Sequence, residues 1–264
     1  MIDRVLAVWN NQKLALGVHC PMTDLMFYEM SGRMGYDFVW IEGEHTDLTG
    51  PMIFNGIMAT QAGGAAAFVR VPSHDPALVK PILDGGADGI IFPMVNTAEQ
   101  AKQVAQSCRY YPMGNRSFGP GRGMNYGMMP LPEYLDYAAS NICCLIQIET
   151  KEAVENLDEI LQVEGITALI CGAMDLSLSV GKLGQMDDPE VHGLMMTMIE
   201  KCKAAQKPFG VSSAADQRLL DLFVKHGAAL ICMGSPDVYF MQGAQKMLQK
   251  YRTTKESKEE MKYE

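Results

Sequence analysis

Short apolar runs rich in Val, Ile and Leu alternate along this chain with longer stretches of helical period, and the alternation repeats eight times. Such a pattern restricts the fold, because consecutive parallel strands need a crossover helix between them and the sheet must then be covered on its outer face. Strands are expected at Leu14–Cys20, Phe38–Glu42, Ala65–Val71, Gly89–Val95, Ile142–Glu149, Ile166–Cys171, Pro208–Ser212 and Leu230–Gly234. The helices between them are expected at Asp24–Met34, Pro51–Ala62, Pro76–Leu83, Ala98–Tyr110, Lys151–Gln162, Pro189–Ala205, Asp216–His226 and Pro236–Tyr251. Several open at Pro, Asp or Thr, and Gly63, Gly85, Gly165 and Gly227 suit helix C-terminal caps. Eight such units predict an α/β fold of the closed (β/α)8 TIM-barrel type, which usually takes about 250 residues. An open doubly wound sheet would need a glycine-rich dinucleotide turn after the first strand, and His19-Cys20-Pro21-Met22-Thr23 is not one.

No linker-like stretch divides the chain, so residues 1–252 are expected to form one barrel domain and residues 253–264 a charged, frayed C-terminal tail. One segment breaks the rhythm. Pro112 to Pro130 is rich in glycine and proline, and Pro130–Ser140 then reads as an extra helix before the fifth strand. Within that segment Asn115–Gly123 carries Arg116 and Arg122, and it is expected to pack on a neighbouring surface, with a lid over a pocket as the alternative.

Hydrophobic residues make up 48% of the chain and charged residues 20%, enough apolar material for a large core. The net charge of -9 argues against nucleic acid as a partner. No apolar run approaches the ~18 residues of a spanning helix, and Met1–Asn10 lacks the order of a signal peptide, so a cytoplasmic location is expected. Seven cysteines without CxxC spacing read as buried reduced thiols. Met195, Met196 and Met198 read as core or subunit-contact residues.

Polar residues collect at one end of the expected strands: His45 just past the second, Arg70 in the third, Glu149 closing the fifth and Asp175 just past the sixth. In barrels of this type the C-terminal strand ends converge on one mouth, which carries the active site. Glu149 and Asp175 supply hard oxygen ligands for one divalent ion with open positions, although each alone also reads as a helix N-terminal cap. Arg70 lies in the apolar strand Ala66-Ala67-Phe68-Val69-Arg70, where a guanidinium needs an anion facing it. That anion is either a structural partner or an oxyanion of the substrate. His45 ends the run Trp40-Ile41-Glu42-Gly43-Glu44-His45 and suits a base for a substrate hydroxyl, with a merely structural histidine as the alternative.

These residues in this order resemble the HpcH/HpaI family of metal-dependent aldolases. The likeness covers nearly the whole chain and rests on Ile41-Glu42-Gly43-Glu44-His45, Val69-Arg70-Val71-Pro72, Phe92-Pro93-Met94-Val95 with Thr97-Ala98-Glu99-Gln100-Ala101, Arg109-Tyr110-Tyr111-Pro112 with Gly114, Gln147-Ile148-Glu149-Thr150, and Gly172 with Asp175-Leu176-Ser177. The resemblance implies a barrel of the phosphoenolpyruvate/pyruvate-domain type that reversibly cleaves a 4-hydroxy-2-oxo acid to pyruvate and an aldehyde. It implies one divalent cation per subunit (Mg²⁺, Mn²⁺ or Co²⁺) on Glu149 and Asp175, His45 as base and Arg70 as the cation that steadies the enolate. It adds Gln147 as a substrate contact, Gly172 and the backbone at Met174 beside the pyruvate carboxylate, and Asp84 as a carboxylate that raises the basicity of His45.

Asp84 falls near the end of the third helix, on the face away from the site, so a neighbouring subunit is expected to supply it in a homo-oligomer, a trimer or hexamer. Two positions depart from the family pattern. Glu42 stands where Asp is usual, which puts an extra methylene near His45, and Met174 is expected to narrow the pocket mouth. The rival readings are a citryl- or malyl-CoA lyase-like barrel, which lacks the Gly43-Glu44-His45 ending, oxaloacetate decarboxylation, and a non-catalytic barrel that binds a small acid.

Overall fold

In the computed structural model, which describes residues 13–213 and 216–260 (the side chains of 253–260 excepted), eight strands close into one parallel barrel in sequence order. They are β1 Ala15–Cys20, β2 Phe38–Glu42, β3 Ala66–Arg70, β4 Gly89–Phe92, β5 Cys143–Ile148, β6 Ala168–Cys171, β7 Phe209–Ser213 and β8 Leu230–Met233. Between them run α1 Leu25–Met34, α2 Gly50–Gly63, α3 Pro76–Asp84, α4 Ala98–Ser107, α5 Leu131–Asn141, α6 Lys151–Glu155, α7 Leu157–Leu161, α8 Ala173–Ser179, α9 Pro189–Ala204 and α10 Gln217–Lys225, with α11 Pro236–Glu260 closing the described chain. The doubly wound alternative is excluded by the pairing of β1 with β8. The expectation for Met1–Asn10 lies outside the described residues. Among the described residues no helix is long and apolar enough to cross a membrane.

The strands are buried on both faces along most of their length, as a parallel sheet wrapped by helices requires, with half-buried positions at His19, Ser212 and Ser213 among others. Two cores result. One lies between strands and helices and holds Val39, Ile41, Val69, Ile90, Ile146 and Leu169 with helix residues such as Val79, Val104, Met195 and Met198. The other is made of strand residues alone, including Ala15, Phe38, Trp40, Phe68, Ile91, Leu145, Ile170 and Leu230, and fills the barrel's interior. Because side chains alternate along a strand, the interior positions continue from Phe38 and Trp40 to Glu42, from Ala66 and Phe68 to Arg70, and from Cys143 and Leu145 to Gln147. The topmost interior layer is therefore polar.

Several boundaries differ from the sequence reading. The fourth strand ends at Phe92 and not Val95, since Pro93 interrupts it and Met94 takes a left-handed backbone with φ 53. The expected Lys151–Gln162 helix is two short helices broken at Asn156, whose side chain donates to the Asn96 carbonyl at 2.9 Å. A short helix follows β6 at Ala173–Ser179, outside the eight expected helices, and it starts ahead of Asp175, which lies inside its first turn. The last helix continues to Glu260, so the start of the expected charged tail is helical.

Candidate active site

The interior layer at the C-terminal strand ends opens into a cavity of about 500 Å³, lined by His19, Trp40, Arg70, Gln147, Gly172, Met174, Asp175, Ser212 and Ser213 among others. Arg70 and Glu42 are register partners on β3 and β2, and the Glu42 carboxylate takes the Arg70 Nη2 at 2.6 Å and its Nε at 2.8 Å. The same carboxylate accepts from His19 Nε2 at 2.7 Å, from Trp40 Nε1 at 3.3 Å and from the backbone N–H groups of Glu44 and His45 at 2.7 and 2.9 Å. Although burial pushes its pKa up, these bonds and the Arg70 charge win and bring Glu42 down to about 2. The extra methylene therefore does not crowd His45; it sets a carboxylate beneath the turn that carries His45.

Arg70 is partly a structural ion pair, as one reading held, because Glu44 Oε2 also lies 2.9 Å from its Nη1. It nonetheless lines the cavity, and its Nη1 donates to Gln147 Oε1 at 3.2 Å. Gln147 in turn donates through Nε2 to Glu149 Oε2 at 2.8 Å, and the Met94 N–H donates to Glu149 Oε1 at 2.6 Å. The left-handed turn after β4 thus serves to aim an amide at this acid. Burial raises the Glu149 pKa to about 7 against the lowering effect of that amide, and the charges of Asp175 and Glu44 add to the rise.

Neither acid is a helix cap. Thr150 caps α6 by accepting from the Ala153 N–H, and α8 has no side-chain cap at Gly172. Asp175 sits exposed in the first turn of α8, near enough to Glu149 and Glu44 to raise both pKa values. Gly172 makes this approach possible, since a Cβ there would run into the Glu149 carboxylate and lie 2.6 Å from the Glu149 Cβ. A buried Glu149 whose pKa is raised in part by the Asp175 charge, with Arg70 already turned to Glu42 and Glu44, makes with the exposed Asp175 an oxygen donor pair that fits a divalent cation. Among the described residues no group of three or more His, Cys, Asp or Glu side chains is placed to enclose an ion, so the fit is that of a two-carboxylate site with open positions.

The structure brings Arg70, Gln147, Glu149, Gly172, Met174 and Asp175 together, but it leaves two expected residues apart. His45 lies beside the cavity and not in its lining; its side chain is 68% exposed and its Nε2 is 3.7 Å from Glu44 Oε2. Asp84 ends α3, on the opposite face of its own barrel, where Arg116 Nη2 holds it at 2.7 Å. The Asn115–Gly123 loop lies on that far face too. Arg116 is fully covered, stacks over Tyr110 at 4.7 Å and reaches Tyr134, while Arg122 donates to the Gly85 carbonyl at 3.2 Å. Packing is thus right and a lid over this subunit's own cavity is not.

His19 and the serines of β7 were missed as site residues. The signal was available for His19, a polar residue at a strand's C-terminal end, but only the closed register shows that it points inward with Trp40 and Glu42.

Known sequences and structures resemble this chain along most of its length. The sequence profile described as HpcH/HpaI aldolase/citrate lyase matches residues 16–241. The chain is 37% identical over 225 residues to a 4-hydroxy-2-oxovalerate aldolase of Novosphingobium aromaticivorans, covering 85% of each. It is 31% identical over 243 residues to a hydroxypyruvate/pyruvate aldolase of Agrobacterium fabrum, covering 91% of this chain and 90% of that one. The solved HpcH/HpaI aldolase of Desulfitobacterium hafniense superposes with a TM-score of 0.90 at 24% identity, over 95% of this chain and 97% of that one, and shares its fold. With a profile match along almost the whole barrel and relatives above 30% identity, this chain belongs to the HpcH/HpaI aldolase/citrate lyase family.

Proposed function

We propose that this chain is a divalent-metal-dependent aldolase that reversibly cleaves a 4-hydroxy-2-oxo acid to pyruvate and an aldehyde. The observation that carries the reading is the buried Glu149 packed against Gly172, with Asp175 close enough for its charge to raise the Glu149 pKa, neither acid serving as a helix cap, and with Arg70 and Gln147 beside Glu149. The names of the relatives, aldolases acting on 2-oxo acids, support it. Glu149 and Asp175 would hold one Mg²⁺, Mn²⁺ or Co²⁺, which when bound acts as a Lewis acid on a carbonyl oxygen.

The protein's own groups do the rest. Arg70 presents a fixed positive charge to the oxygen of the 2-oxo group, where negative charge grows as the C3–C4 bond breaks. Gln147 bridges Arg70 and Glu149 and keeps both aimed inward. The amides at the start of α8, including that of Met174, receive the substrate carboxylate. His45 takes the proton of the C4 hydroxyl. In a homo-oligomer, Asp84 of a neighbouring subunit approaches His45 and raises its basicity. Oligomer formation is supported by α11, which exposes Phe240, Met241, Met247 and Leu248, and by an open apolar cleft of about 540 Å³ lined by Leu48, Phe54, Ile57 and Pro81. Seven buried free cysteines suit the reducing cytoplasm.

The test is release of pyruvate from a panel of 4-hydroxy-2-oxo acids, with and without a chelator, repeated on Glu149→Ala. Chelation and the substitution are each expected to lower kcat/KM by at least about 100-fold, with Mg²⁺ or Mn²⁺ restoring the chelated wild type. Turnover that resists chelation rejects the metal mechanism.

A further inference from the structure

Among the described residues His19 is the one histidine that lines the cavity, and its ring is held from both sides. Nε2 lies 2.7 Å from the buried Glu42 carboxylate, and the ring meets Trp40 edge to face at 5.8 Å between centroids. Glu42 is paired with Arg70 at 2.6 Å and receives two backbone N–H groups, so it is an ionised acceptor, and the shared hydrogen must belong to His19. That fixes the tautomer: in the neutral ring Nδ1 carries a lone pair and no hydrogen. Among the described residues Nδ1 has no partner. An acceptor of this kind is satisfied by a hydroxyl and not by an alkyl group or a carbonyl oxygen.

Its place in the barrel tells which part of the substrate meets it. The groups read above as pyruvate-binding stand on β3, on β5 and after β6, whereas β1 lies across the mouth from β5, between β2 and β8, with β7 beyond β8. The other side of the same cavity is lined by His19, Ser212 and Ser213, which leaves that side for the substrate atoms from C4 outward, those that become the aldehyde. We propose that His19 accepts a hydrogen bond from a hydroxyl on the carbon next to the aldehyde carbonyl, so that this chain selects 2-hydroxyaldehydes over alkyl aldehydes of the same size. The proposal names the acceptor class of the aldolase read above, and it rests on that reading.

Glycolaldehyde and propanal differ by a hydroxyl in place of a methyl and make the probe. Aldol addition of pyruvate to each is measured with Mn²⁺ for the wild type, His19→Phe and His19→Gln, and deuterium uptake at the pyruvate methyl group is followed for the wild type by NMR. The wild type is expected to favour glycolaldehyde in kcat/KM by about tenfold or more. In His19→Phe that preference is expected to shrink by about 10- to 100-fold, and in His19→Gln, which keeps an acceptor atom, by less. A wild type without preference, or a His19→Phe enzyme whose two kcat/KM values fall by the same factor, overturns the proposal while methyl exchange leaves the aldolase reading standing. A wild type that neither exchanges methyl protons nor adds either aldehyde removes the aldolase reading itself, and this inference with it.

Discussion

At the residue scale two glutamates in one layer of the barrel are driven in opposite directions. Glu42 is surrounded by donors and held at about 2, so its contribution to stability is present above the unfolded value near 4.5 and is lost as pH falls toward 2. Replacing it with Gln keeps the shape but leaves Arg70 short of a buried counter-charge, and Glu42→Gln is expected to cost about 3–5 kcal/mol in urea unfolding. A cost under about 1 kcal/mol would show that Glu44 alone balances Arg70. Glu149 has the opposite sign. Its folded value of about 7 lies above the unfolded one, so the metal-free protein gains from the protonated form below about pH 4.5 and loses that gain as pH rises through 7. A cation needs the ionised form, so the apparent Mn²⁺ affinity is expected to weaken toward tenfold per pH unit below 7. Titrations at pH 8, 7 and 6 check this, and a flat affinity would remove Glu149 from the ligand set.

At the scale of elements, the site is built where strands stop. Each strand was visible as an apolar run, but β4 ends sooner than that run because Pro93 and the left-handed Met94 turn its amide onto Glu149. Gly43 is needed for a similar reason, since its N–H bonds the Arg70 carbonyl at 3.0 Å and a Cβ there would lie 2.6 Å from that oxygen. The start of α8 depends on Gly172 in the same way. Gly172→Ala is therefore expected to lower kcat/KM by at least about 100-fold while circular dichroism retains the barrel's spectrum. Loss of the folded spectrum would instead make Gly172 a structural position first. The split of the fifth expected helix at Asn156 was hidden because apolar periodicity runs through it unbroken, whereas the bond from Asn156 to Asn96 is a contact between residues distant in sequence.

At the scale of the whole molecule, α11 is the feature that a lone barrel does not explain. It touches the barrel near its start, where Tyr239 donates to the Met233 carbonyl at 2.9 Å, and then presents Phe240, Met247, Leu248 and Tyr251 outward. Covering those side chains with another subunit would remove apolar surface from water, and an oligomer is what the role proposed for Asp84 requires. The wild type is expected to sediment as a trimer or hexamer, and Phe240→Lys with Met247→Lys as a smaller species of reduced activity. A fully active wild-type monomer would refute both the assembly and the role given to Asp84.

The order of periods by itself determined the barrel, because hydrophobic alternation is a local property that each βα unit carries separately. The rule that function sits at C-terminal strand ends then placed Arg70, Glu149 and Asp175 at one mouth from the sequence alone. What only the closed structure decided was which side chains share that mouth. Closure puts His19 from β1 against Glu42 from β2, turns His45 out beside the cavity, and packs the Asn115–Gly123 loop through Arg116 and Arg122 against Asp84 and Gly85 on the far face. These are distances between residues far apart in the chain, set by the register of neighbouring strands, and no local pattern of residues encodes them.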